Sequence, residues 1–120
     1  MKDARHSFGQ LGEDRAVAYL EGMRYRILDR NFRTKTGEID IVAEKDSTLI
    51  FVEVKTRSSL RFGEGYEAVN SRKQKKLRQL ALIYLSEKEI FGRAIRFDVI
   101  SLLFSREGEL LKLQHFEEAF

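Results

Sequence analysis

The stretch from Glu38 to Thr56 constrains the fold more than any other. Two runs rich in β-branched residues, Glu38 to Glu44 and Leu49 to Thr56, flank Lys45, Asp46, Ser47 and Thr48, whose chemistry suits a turn between strands. The pattern predicts a β-hairpin. If it is symmetric about Asp46 and Ser47, cross-strand partners have numbers that sum to 93. One face then carries Ile39 opposite Val54, Ile41 opposite Val52 and Ala43 opposite Ile50. That apolar surface must pack against a helix or another layer. On the other face Val42 meets Phe51, Glu44 meets Leu49, Glu38 meets Lys55, and Asp40 meets Glu53.

The last pairing demands a chemical reason. Two full charges about 4 Å apart at an effective dielectric of about 20 repel by roughly 4 kcal/mol. A proton on one carboxylate, a basic neighbour or a hard divalent cation would relieve the repulsion. Alternating Glu and Lys on a wet strand face is ordinary, but here the strands are buried on one face and half apolar on the other. With no cysteine and only His6 and His115, far apart, a thiolate or short-range histidine site is excluded. Any metal must be held mainly by oxygen, which suits Mg²⁺ or Mn²⁺. Such an ion on Asp40 and Glu53, with Lys55 two residues along the same face, suits phosphodiester hydrolysis, where charge builds on phosphate and leaving oxygens.

The rest of the chain supplies layers for the hairpin. Phe8, Leu11, Ala16, Tyr19 and Leu20 recur at helical spacing from Ser7 to Glu21, with Ser7 as cap and Gly22 as terminator. Tyr25 to Phe32 reads as an edge strand leading into a loop at Thr34 to Gly37. Arg57 to Gly65 reads as a loop. Ala68 to Glu87 carries Leu77, Leu80, Ala81, Tyr84 and Leu85 on one stripe, a long helix with an interruption near Asn70 and Ser71. Ile95 to Phe104 and Leu110 to Phe116 read as strands. The expected architecture is one α/β domain over residues 1–120, a mixed central sheet flanked by helices in the order α-β-β-β-α-β-β. Apolar residues at 42% suffice for its core.

Gly37-Glu38-Ile39-Asp40, followed by Glu53-Val54-Lys55, resembles the PD-(D/E)xK nuclease signature of restriction endonucleases and Holliday junction resolvases. More narrowly, GEIDIVA, then FVEVKTR, a first helix with Gly9, Gly12 and Glu13, and a later RKQKKL resemble the YraN-like bacterial family of small predicted endonucleases. The resemblance covers almost the whole chain. It implies a restriction endonuclease-like core, Asp40, Glu53 and Lys55 as the catalytic group, and Asp40 and Glu53 on Mg²⁺ or Mn²⁺. It also implies Glu13 as a third, outer carboxylate; a solvated helix residue is the competing reading. The signature's leading Pro is replaced by Ile39, at no chemical cost because the proline is not a ligand.

A net charge of +3 and a pI near 9.3 favour a polyanionic partner. Arg72, Lys73, Lys75, Lys76 and Arg78 lie within seven residues at the start of the second helix, a density suited to DNA phosphates, although a solvated helix face has the same composition. Gln74 lies among them, near substrate or simply exposed. Arg57 follows the site and either grips a phosphate or belongs to a plain connection. His115 reads as surface decoration, and Asp98 as a hydrogen-bonded structural acid. Met1 to Gln10 has no signal-peptide core, and no apolar run could span a bilayer, so the default expectation is a cytoplasmic protein without membrane contact. The function expected is a Mg²⁺-dependent endonuclease acting on branched or single-stranded DNA, with a catalytically idle nucleic-acid-binding module of the same fold as the rival. Cutting two strands of a junction would call for a two-fold homodimer.

Overall fold

In the computed structural model, which describes residues 4–58 and 69–120 and the side chains of the first helix from Phe8 onward, two helices flank a five-stranded mixed sheet. The elements are α1 (Ala4–Gly22), β1 (Arg26–Thr34), β2 (Gly37–Lys45), β3 (Thr48–Ser58), α2 (Ser71–Glu87), β4 (Ala94–Phe104) and β5 (Leu110–Phe116). The strands lie in sequence order, with β1–β2, β2–β3 and β4–β5 antiparallel and β3–β4 parallel. A parallel pair cannot be joined by a tight turn, and α2 lies in the crossover between β3 and β4.

The hairpin has the expected register from Ile41 opposite Val52 to Lys45 opposite Thr48. Asp46 and Ser47 close it with φ of 50° and 66°, the doubly left-handed turn whose twist matches paired strands. The expectation of one buried face was too modest, because helices cover both. Ile41, Ala43, Ile50 and Val52 pack with Ala16 and Leu20 of α1. Val42, Leu49 and Phe51 pack with Leu77, Leu80 and Tyr84 of α2. Leu49 to Glu53 of β3 is therefore buried at five successive positions.

Several boundaries differ from the sequence reading. α1 begins at Ala4, so Ser7 lies inside the helix; Ala4, Arg5 and His6 contain no helix breaker. Gly22 is its last residue, but the left-handed terminator is Arg24, at φ 70°. Tyr25 N–H bonds to the Leu20 carbonyl and Arg24 N–H to that of Glu21, an arrangement that turns Tyr25 into the core. α2 starts at Ser71, because the Asn70 side chain accepts the Lys73 N–H and caps the helix there. Arg57 and Ser58 belong to β3, paired with Leu103 and Phe104, so the expected loop does not begin at Arg57; residues 59–65 of that expectation lie outside the described part. Among the described residues no helix is long and apolar enough to cross a membrane.

Candidate metal centre and nucleic-acid interface

The hairpin ladder stops short of the acids. Its last pair towards the open end is Ile41 with Val52, and the expected pairs Asp40 with Glu53, Ile39 with Val54 and Glu38 with Lys55 do not form. Instead Asp40 Oδ2 accepts the Val54 N–H at 2.8 Å, so a side chain takes the place of a ladder carbonyl where the strands part. Strand alternation also slips at this point. Ile39 packs on the α2 side and Ile41, two residues on, packs on the α1 side. On β1, Phe32 pairs with Ile39 and Arg30 with Ile41, leaving Asn31, at φ 53°, opposite Asp40. A left-handed residue within a strand re-aims its neighbours, as a bulge does.

The slip turns Asn31 and Asp40 into a cleft of about 370 Å³ that Gly9, Gln10 and Glu13 of α1 also line. Helix and strand meet closely here. A Cβ on Gly12 would stand 2.0 Å from Thr56 Oγ1, so only glycine lets α1 lie this near β3. Glu13 is buried rather than solvated. Its Oε1 accepts Arg30 Nε and Nη2 at 3.1 and 3.0 Å and Asn31 Nδ2 at 2.8 Å. Sequence reasoning missed Arg30 and Asn31; the available signal was an asparagine, a poor strand former, within the edge strand.

Glu53 lies on the α2 side of β3, 92% buried. Lys55 shares that face by alternation, and among the described residues it has no ion-pair partner. Lys73 of α2 reaches Glu53, Nζ to Oε2 at 3.2 Å. The fold thus brings Asp40 and Glu53 into electrostatic contact at the strand fork, with Glu13 on one side of the sheet and Lys55 and Lys73 on the other. Burial, then the Glu53 charge, pushes the Asp40 carboxyl up to about 7, against the opposing Val54 N–H; Glu38 and Glu13 add to the rise.

Asp40, whose proton affinity is raised, and the neighbouring Glu53 offer hard-oxygen donors that a divalent cation would suit. Among the described residues no three His, Cys, Asp or Glu side chains cluster closely enough to hold a metal together. A Mg²⁺ ion at this position would have to use one or two carboxylates and keep several waters, a coordination that Mg²⁺ commonly adopts. Asp40 and Glu53 are the residues that could hold it.

The basic cluster borders this site. Arg72, Lys73, Lys75 and Lys76 line a groove of about 500 Å³ with Asn70 and Gln79. Gln74 Nε2 donates to the Val69 carbonyl at 2.7 Å, which secures the start of α2. Arg57 sits at the end of β3, beyond Lys55. His115 is no surface decoration: its side chain is 7% exposed, Nε2 lies 2.7 Å from Asp98 Oδ2 and Nδ1 3.0 Å from the Tyr19 hydroxyl. The sequence could not reveal this, because α1 and β4 supply both partners. Asp98 is a structural acid, as expected, also bound by Arg96 and the Glu118 N–H.

Comparison with known proteins shows the family. The model of the uncharacterised protein family UPF0102 matches residues 12–102, which contain Glu13, Asp40, Glu53, Lys55 and the basic cluster. A UPF0102 protein of Pelotomaculum thermopropionicum is 46% identical over 120 residues, all of both chains. One from Geobacter metallireducens is 47% identical over 114 residues, 95% of this chain and 92% of the relative. One from Dictyoglomus turgidum is 43% identical over 112 residues, 93% and 95% of the two chains. With a match of that extent and relatives aligned almost end to end, this chain belongs to the UPF0102 family.

Proposed function

We propose that this chain is a Mg²⁺- or Mn²⁺-dependent DNA endonuclease with a restriction endonuclease-like core. One observation carries the reading: Asp40 is held at the strand fork beside a buried Glu53, at a cost that a divalent cation removes. Bound there, the ion would polarise a phosphate oxygen and lower the pKa of a water. Asp40 and Glu53 hold and orient it. Lys55, adjacent on β3, supplies a positive charge for the phosphate as negative charge builds on its oxygens. Arg57, Arg72, Lys75 and Lys76 attract and align the sugar-phosphate backbone without reading sequence. Gln74 acts indirectly, by fixing the end of α2 that presents these lysines.

Glu13 contributes by position. With Oε1 held by Arg30 and Asn31, it lines the Asp40 cleft and can orient water beside it. A catalytically idle DNA-binding module is the second reading, favoured by the ion pairs that already engage Glu13 and Glu53.

The test is cleavage of labelled duplex, single-stranded, flap and four-way-junction DNA with Mg²⁺, Mn²⁺ or chelator. Wild type should cut at least one substrate only with metal, and Asp40→Ala and Lys55→Ala should each lower the rate at least about 100-fold. Salt-sensitive binding without cutting on any substrate would establish the idle module. Sedimentation with and without junction DNA would test whether two copies act together.

A further inference from the structure

Lys73 belongs to two environments at once. Its ammonium pairs with the buried Glu53 carboxylate, yet the side chain is 48% exposed and lines the basic groove beside Arg72, Lys75 and Lys76. Its root is fixed, because the Lys73 N–H donates to the Asn70 cap at 2.9 Å. The ammonium can therefore swing between partners while the backbone stays in place, whereas Glu53, 10% exposed in its side chain, cannot follow it. A cation approaching Glu53 meets Lys73 as a competitor. A phosphate in the groove offers Lys73 another anion.

We propose that Lys73 is an exchangeable counter-ion of Glu53 that couples the two binding events. In free protein it neutralises Glu53 and weakens metal binding; when a DNA phosphate takes its ammonium, Glu53 is released for the metal. This inference rests on the nuclease reading of the site and adds an order to its assembly. Linkage makes the coupling reciprocal: DNA must tighten metal binding by the factor by which metal tightens DNA binding.

Calorimetric titration of Mg²⁺ and Mn²⁺ into chelator-treated protein tests the idea, alone and with a short duplex, the duplex arm being run on the Lys55→Ala background to prevent its consumption. Without DNA, Lys73→Met should bind metal about fivefold more tightly than wild type, the scale of one partly exposed ion pair. DNA should then add little to its affinity, while it tightens metal binding by about the same factor when Lys73 is present. Lys73→Arg should behave as wild type. Lys75→Met removes the same charge from the same helix without touching Glu53 and should not reproduce the effect. If Lys73→Met leaves metal affinity unchanged, or Lys75→Met matches it, the counter-ion role is overturned. If Asp40→Asn and Glu53→Gln bind metal as wild type does, the metal-centre reading itself fails, a separate result.

Discussion

Asp40 Oδ2 accepts the backbone N–H of Val54 at 2.8 Å, at the point where the β2–β3 ladder has ended. The bond keeps the carboxyl at the fork although burial and Glu53 push its proton affinity up to about 7, from 3.8. In metal-free protein the sign follows directly. Between pH 4 and 7 the folded state keeps a proton that the unfolded chain has lost, so this group makes stability fall as pH rises. Above about 7 the full cost is present, up to about 4 kcal/mol for a shift of this size. Urea unfolding in chelator should show the decline, and Asp40→Asn should flatten it while raising stability at pH 8. An unchanged pH profile in the variant would assign the decline to other groups.

Asp98 has the opposite signature. Burial alone would raise its pKa, but bonds from His115, Arg96 and the Glu118 N–H outweigh that and hold it below the ordinary carboxylate range. Its contribution is present above the unfolded pKa and is lost as pH falls through the lower folded value. His115→Leu should cost about 2–3 kcal/mol by leaving a fully buried carboxylate short of a partner. Thermal unfolding at neutral pH measures the loss. Asp98→Asn in the same background should recover part of it.

Gly12 sets the distance between α1 and the sheet. Gly12→Ala places a methyl against Thr56, whose Cβ and Cγ2 also lie 3.1 Å from it, and should destabilise the protein by about 1–3 kcal/mol. Thr56→Ala removes the two nearest non-backbone obstacles other than Cβ and should restore stability to the double variant relative to Gly12→Ala. A double-mutant cycle with no coupling would mean that the helix absorbs the methyl by moving elsewhere.

The basic groove should reveal itself through salt. Lys75→Gln and Lys76→Gln should each weaken binding of a labelled duplex uniformly across sequences and reduce the logarithmic salt slope by about 0.9. Fluorescence anisotropy across a range of KCl concentrations, with chelator present, measures both effects. A change in affinity with no change in slope would mean that the lost interaction was not with phosphate.

Much of the fold could be read locally. The strand runs, the turn at Asp46 and Ser47, the register from Ile41 to Lys45 and the apolar stripe of α2 all reflect periods of two or 3.6 residues that a short window of sequence contains. The acids at Asp40 and Glu53, the lysine at Lys55 and the basic start of α2 stand out for the same reason: unlike charges or like charges at fixed spacing are visible without knowing what packs around them.

Where the strand period fails was barely visible. Ile39 suits either face of a sheet that is apolar on both sides, so nothing in its residue type marks its shift to the α2 side; Asn31, left-handed opposite Asp40, was the one local sign of an irregularity there. No local sign marks the pairing of Glu13 with Arg30, Lys73 with Glu53, or His115 with Asp98 and Tyr19. The sequence by itself determined which elements form and which chemical groups they carry, because propensity and periodicity act between near neighbours. Only the tertiary structure decided which carboxylate meets which cation, because those partners lie far apart in the chain and their distances are set by how helices and sheet pack.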